Sequence, residues 1–172
     1  MLLIKFIGGL FVCASSVLFG FSFACKDICR INELSSLKSA LYMLKSEIDF
    51  SFAAIPEAFL NVSERTSGAI GKFFADCGRR LKEGEHILKE IWEDGICGIK
   101  DSYLTSEDLA EFKRLGVVLG SQDKTPQLEI ISIVISYIDE KTAELNKAAE
   151  KNKRLYRNLG IIGGLLAAIV MF

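Results

Sequence analysis

The 172-residue sequence is poor in the residues that catalytic and metal sites require. It holds one histidine, His86, and neither a CxxC nor an HxxxH pair. A zinc site needs three or four ligands at suitable spacing, and Gly116 and Gly120 do not belong to the GxxxxGK[ST] pattern of a phosphate-binding loop. His86 lies near Glu83 and Glu90 and is interpreted as a partly exposed surface residue rather than a catalytic base. We predict a non-enzymatic protein without catalytic residues, metal or cofactor.

Proline, cysteine and net charge are also scarce. Pro56 and Pro126 are the two prolines, and no sustained alternation of apolar and polar residues indicates a strand. The five cysteines do not form a disulfide framework, and Cys25 and Cys29, one helical turn apart, are interpreted as packing residues. The formal net charge of -1 offers no basic field for nucleic acid. The absence of alternating strand patterns favours an all-α protein. The odd, sparse set of cysteines fits a reducing compartment.

Two uncharged runs lie near the ends of the chain. Residues 6–24 carry no charge, and a helix of that length reaches about 28 Å, close to the roughly 30 Å hydrocarbon core of a bilayer. The second run, residues 159–172, becomes long enough to span if the helix starts at Leu155 and Arg157 extends to the headgroups. We predict transmembrane helices over residues 1–25 and 155–172, with small-residue packing at Gly160 and Gly164.

Basic residues flank the inner ends of both predicted spans. The outer flank has only Lys5 and the amino terminus, so the positive-inside rule places the central domain, residues 26–154, in the cytoplasm. The inner flanking residues are Lys26, Arg30, Lys147, Lys151, Lys153, Arg154 and Arg157. The alternative is a cleaved N-terminal signal, which would leave an extracytoplasmic or secreted helical interaction protein.

Helical periodicity runs through the whole central domain. Apolar residues recur every three or four positions in six segments, and the last segment runs from Gln127 to Leu159 without glycine or proline. Thr105 is predicted to cap the fifth helix, with Asp108 supplying a carboxylate in its first turn. We therefore predict an all-α cytoplasmic antiparallel bundle of about six helices, flanked by an N-terminal and a C-terminal transmembrane helix.

The stretch LGVVLGSQDKTPQ, residues 115–127, is predicted to join the fifth and sixth helices. Gly120 is expected to cap the fifth helix in a left-handed conformation, and Gly116 is expected to permit the close approach of a neighbouring helix. Thr125 and Pro126 are predicted as the N-cap and first residue of the sixth helix, with Asp123 as the alternative cap.

Three residues are candidates for contact with a partner: Trp92, Glu85 and Asp123. Trp92 lies at helical spacing from Leu88. This spacing favours a core position, with an interaction hot spot as the alternative.

The order of these features resembles the stage III sporulation protein AB family of endospore-forming bacteria. The similarity covers essentially the whole chain and is most specific in a G-x-x-x-G-x-x-D-x-x-x-Q pattern, here Gly116, Gly120, Asp123 and Gln127. The segments PEAF at 56–59 and GE at 84–85 support it. That family is similar to the F-type inner-membrane platform proteins of type II secretion and type IV pilus machines.

The resemblance implies a function, a location and partners. It implies a platform or scaffold in the channel complex between mother cell and forespore, required for endospore formation and located in the mother-cell membrane surrounding the forespore. The implied partners are a secretion-type ATPase, the stage III sporulation AA protein, and the membrane proteins AC and AD. A homo-oligomer is a further expectation.

Overall fold

The computed structural model describes residues 26–51, 54–84, 87–99, 102–121 and 123–171, without the side chains of residues 51 and 152–171. These residues form six helices, and none of them lies in a strand. The helices are α1 (residues 26–46, continued by a π-helical turn, Glu47–Ser51), α2 (Ile55–Glu64), α3 (Gly68–Lys82), α4 (Leu88–Gly98), α5 (Ser106–Leu119) and α6 (Lys124–Met171). The predicted all-α class and the number of helices are confirmed.

Of the two predicted membrane spans, the structure describes only the backbone of the C-terminal one. The N-terminal span, residues 1–25, lies outside them, and the C-terminal span falls in the part of α6 whose side chains are not described. Within the part of the chain that the structure describes, no helix is both long and apolar enough to cross a membrane. The spans, and the packing predicted at Gly160 and Gly164, therefore remain predictions.

Residues Cys29–Lys141 form one compact unit, which contains most of α1, all of α2 to α5 and the first part of α6. Described residues 26–28 and 142–171 belong to a second unit, which consists of helical residues at the ends of α1 and α6. All contacts described below lie within the first unit.

Aromatic side chains from α2, α3, α4 and α5 form the centre of this unit. Their ring centroids lie between 4.7 and 6.3 Å apart, mostly in edge-to-face or tilted orientations. Aromatic quadrupoles favour these arrangements over a face-to-face stack. The cluster consists of Phe59, Phe73, Phe74, Trp92 and Phe112, each at most 3% exposed. It ties four successive helices to one another.

Helices α1 and α6 run antiparallel to each other within the unit. Lys45 Nζ donates to Ser132 Oγ at 2.8 Å, and Lys38 forms an ion pair with Asp139. The residue number falls along α1 as it rises along α6, which fixes the antiparallel direction. The apolar faces of both helices are buried at Leu34, Leu37, Leu41, Leu44, Ile131, Val134 and Ile138.

Candidate interaction site

The turn between α5 and α6 is held by a buried glutamine. Gln127 is only 6% exposed, and its Nε2 donates to the carbonyl oxygens of Leu119, at 3.0 Å, and Ser121, at 2.6 Å. The last carbonyls of a helix have no partner within the helix. A side chain from the first turn of α6 therefore caps the C-terminus of α5, so the glutamine of the motif fixes one helix to the other.

The prediction that Gly120 adopts a left-handed conformation is wrong. Its backbone is right-handed, with φ -72° and ψ -8°, because Gln127 supplies the hydrogen bonds that a left-handed turn would otherwise provide. A Cβ atom built on Gly120 would come no nearer than 3.8 Å to another atom, which is ordinary contact. The left-handed glycine after a helix occurs instead at Gly84, with φ 101°, following α3.

The predicted start of the sixth helix also needs correction. Helix α6 begins at Lys124, so Thr125 and Pro126 lie inside its first turn rather than at the N-cap and first position. Asp123 directly precedes the helix, but no described residue donates a hydrogen bond to its carboxylate, so its role as the alternative cap is not confirmed. Lys124 Nζ donates to the carbonyl of Asp49 at 2.6 Å and lies 3.2 Å from its carboxylate, which fastens this end of α6 to the π-helical turn. Proline remains compatible because first-turn N–H groups lack partners within the helix.

Gly116 lies against the face of Trp92. A Cβ atom on this glycine would be 2.3 Å from both Cδ1 and Cγ of the indole. Trp92 is 0% exposed, and its Nε1 donates to the carbonyl of Phe112 at 2.8 Å. The core position favoured for Trp92 is therefore confirmed, and the alternative of a partner-facing hot spot is wrong, because the ring and its one polar group are both used inside the bundle.

A buried carboxylate joins three helices at Asp108. This residue is 1% exposed and completes the predicted capping box with Thr105. Arg30 of α1 donates to its two oxygens from Nε and Nη2, each at 2.9 Å. The hydroxyl of Tyr137, in α6, donates to Oδ1 at 2.9 Å. The paired, fully hydrogen-bonded arrangement is what allows a charge to be buried.

The hydrogen bonds of this cluster set its protonation. Burial alone would raise the pKa of Asp108, but the bonds from Arg30, Thr105 and Tyr137 outweigh it and leave the pKa below its ordinary value. Burial and the hydrogen bond to Asp108 together raise the pKa of Tyr137. Asp108 is therefore ionised at neutral pH, and the tyrosine remains a donor.

Sequence analysis missed the partners of Asp108. Arg30 was assigned to a membrane flank, yet it lies 78 positions from Asp108 and reaches it only through the tertiary fold. Tyr137 is 29 positions away. The sequence did predict the pairing of Thr105 with Asp108, because these two residues are three positions apart.

The remaining candidate residues do not converge on a reactive centre. Glu85 and His86 lie outside the described residues. Asp123 is exposed, and Cys77 is buried, which raises the pKa of its thiol to about 12. Across the described ranges, no group of three or more histidine, cysteine, aspartate and glutamate side chains is placed to hold a metal ion.

The geometry defines a six-helix bundle protein in which the motif residues Gly116 and Gln127 serve packing and helix connection. The chain belongs to the stage III sporulation protein AB family, whose model matches residues 5–172. It is 22% identical over 170 residues to the stage III sporulation protein AB of Bacillus subtilis (strain 168), covering 98% of this chain and 99% of that protein.

A solved structure of a stage III sporulation protein AB (SpoIIIAB) has the same fold. The TM-score is 0.64 at 20% sequence identity, over 71% of this chain and 97% of that chain. The resemblance read from the GxxxGxxDxxxQ pattern is thereby confirmed at the level of the family.

Proposed function

We propose that this protein is a non-enzymatic platform of the channel complex between mother cell and forespore, and that it couples a cytoplasmic ATPase to membrane components. Membership of a sporulation protein family supports a role in endospore formation. The observation that carries the coupling role is α6, which runs from Lys124 to Met171 as one helix. Its first part is packed in the compact unit, and its last part coincides with the predicted C-terminal span.

A continuous helix suits the transmission of displacement. Each turn is hydrogen-bonded to the next, so a push along the axis moves the far end by a similar distance. The side-chain contacts of α6 resist its displacement from the bundle, since Lys45, Lys38 and the Asp108 cluster hold it along its packed length. Movement imposed on the bundle is then passed along α6.

The proposed partners and location are those that the family resemblance implies. The ATPase is the stage III sporulation AA protein, and the membrane partners are the AC and AD proteins, with self-association of the platform as a further feature. The protein is placed in the mother-cell membrane that surrounds the forespore, with the bundle in the cytoplasm. The basic residues that flank the predicted spans support this orientation.

Interrupting the helix α6 tests whether it transmits displacement from the bundle to the predicted C-terminal span. A seven-residue Gly-Ser insertion after Glu150 removes helical continuity, whereas a seven-residue Ala- and Glu-rich insertion at the same site adds about two helical turns. We expect the flexible insertion to abolish sporulation while expression and membrane location persist, and the helical one to retain more function. Normal sporulation with the flexible insertion would show that α6 does not transmit force.

The mature mass tests the topology. Retention of the N-terminal span predicts a full-length chain in the membrane fraction. Loss of about 24 residues, as expected of a cleaved signal, would instead support the extracytoplasmic alternative.

A further inference from the structure

The apolar core of the compact unit ends before helices α1 and α6 leave it. The unit begins at Cys29 on α1 and ends at Lys141 on α6. Of the described residues, none of 26–33 on α1 and none of 139–151 on α6 is buried. The outermost buried residues on the two helices are Leu34 and Ile138. Both helices therefore pass about one helical turn beyond the core before they leave the unit.

Polar contacts hold the two helices at this end of the unit. Each contact joins a side chain of α1 or α6 to the first turn of α5 or to the segment that precedes it. We call these four contacts the exit latch: Arg30 with Asp108 at 2.9 Å, Tyr137 with Asp108 at 2.9 Å, Glu33 Oε2 with the backbone N–H of Tyr103 at 2.7 Å, and Lys141 Nζ with Glu107 Oε1 at 3.2 Å.

Contacts of this kind separate more easily than an apolar core. A polar group that becomes exposed exchanges its protein partner for water, whereas an exposed apolar group gains no such replacement. Regions with few buried apolar contacts therefore open locally at a lower free energy than the whole domain. The aromatic centre is formed by α2 to α5 without a residue of α1 or α6, so it can stay packed while the latch opens.

A single carboxylate couples the contacts of the latch. Asp108 Oδ1 accepts from both Arg30 on α1 and Tyr137 on α6, while Oδ2 accepts from the backbone N–H of Thr105. Loss of one donor leaves a buried charge less satisfied, which weakens the arrangement that holds the other donor. We therefore expect the contacts of α1 and α6 with α5 to open together rather than one by one.

We propose that the exit latch is a conformational switch that opens as one unit and releases α1 and α6 from α5, while the aromatic centre stays folded. In the closed state, the ends of α1 and α6 in the compact unit are fixed to the start of α5. In the open state, water replaces the donors to Asp108, and the two helix ends move independently of α5. This inference concerns the bundle alone and depends on neither the proposed function nor its partners.

Hydrogen exchange of the full-length protein in lipid nanodiscs tests the switch, with single residues resolved by fragmentation in the mass spectrometer. The reporter is the backbone N–H of Tyr103, because its acceptor, Glu33, lies on α1. The N–H of Phe74, which lies within α3 and is 0% exposed, reports opening of the aromatic centre. We expect the N–H of Tyr103 to be protected at least about tenfold less than that of Phe74.

Tyr137→Phe removes one hydroxyl from the latch and tests whether the contacts open together. The hydroxyl donates to Asp108, so any effect on the N–H of Tyr103 has to pass through the latch. We expect this N–H to exchange about tenfold faster and that of Phe74 to be unchanged, as loss of one hydrogen bond to a charged acceptor implies. Lys45→Met is the matched control: it removes a bond between α1 and α6 farther from the exits and should change exchange at Tyr103 less than about twofold.

Three results would overturn the inference. Equal acceleration at Tyr103 and Phe74 in Tyr137→Phe would mean that the contacts contribute only to overall stability. Unchanged exchange at Tyr103 would mean that the contacts open independently. An equal effect of Lys45→Met would mean that the exits are not distinct from the rest of the α1–α6 pair. If Tyr137→Phe does not fold, as judged by Trp92 fluorescence, Lys141→Met replaces it, with about threefold acceleration expected at Tyr103 and the same refuting results.

Discussion

Replacing Gly116 by alanine places one methyl group against the buried indole of Trp92. The new Cβ would be 2.3 Å from Cδ1 and Cγ of Trp92 and 2.8 Å from its Cβ. A normal carbon–carbon contact is about 3.5 Å, so the first two separations are too short by about 1.2 Å and the third by about 0.7 Å. Either the indole or helix α5 has to move.

Packing and a hydrogen bond oppose movement of both the indole and helix α5. The indole is enclosed by aromatic neighbours, with the ring of Phe73 at 4.7 Å and that of Phe112 at 4.9 Å between centroids. Its Nε1 is bonded to the carbonyl of Phe112 on α5. Overpacking of a dense core costs about 1–3 kcal/mol, and loss of the buried hydrogen bond adds about 1–3 kcal/mol, while the helix gains about 1 kcal/mol from alanine. We expect Gly116→Ala to lower the free energy of unfolding by about 1–5 kcal/mol.

Gly120→Ala is the matched control, because it makes the same chemical change one turn later. There the Cβ meets nothing within 3.8 Å and the backbone is right-handed, so we expect the free energy of unfolding to rise by about 0.5–1 kcal/mol. Urea denaturation measures both variants, and Trp92, the single tryptophan, reports unfolding by its fluorescence. Equal effects of the two substitutions would refute the packing explanation of the motif.

Three further predictions concern other buried groups. Gln127→Leu leaves the two carbonyls at the end of α5 without their donor, and urea denaturation should show a loss of about 1–3 kcal/mol; an unchanged midpoint would mean that the bonds do not hold the turn. Asp108→Asn should destabilise the protein by about 3 kcal/mol at pH 7. Because the folded-state pKa of Asp108 is lowered, its stabilisation is complete above the ordinary carboxyl pKa near 4 and is lost as pH falls through the folded value. Wild type and variant should therefore converge in unfolding experiments at acid pH, and a constant difference would contradict this. Cys77, buried and with a pKa raised to about 12, should resist alkylation at pH 8 until the protein unfolds, whereas the exposed Cys97 reacts first; peptide mass spectrometry distinguishes them.

The sequence was sufficient for the helices because their signals are local. Apolar periodicity identified six segments, and the pairing of Thr105 with Asp108 three residues later identified one helix start. The same pattern did not reveal that α1 packs against α6. Lys45 and Ser132 are 87 positions apart, and nothing in a single sequence selects one among 21 basic residues for a given partner.

The joint at residues 115–127 shows where local signals fail. A glycine after a helix usually indicates a left-handed cap, and a threonine before proline usually indicates a helix start. Both predictions were wrong here because tertiary contacts replaced the local solution. Gln127 caps α5 from the following helix, and Lys124, fastened to Asp49, sets an earlier start for α6.

The two glycines of the motif consequently have different physical causes. Gly116 is required by the interior, since Trp92 occupies the space of its side chain. Gly120 has a right-handed backbone, and a Cβ atom there would meet only ordinary contacts. Stability alone therefore favours alanine at this position. The same four-residue spacing therefore joins one glycine that packing requires to one that the fold does not require.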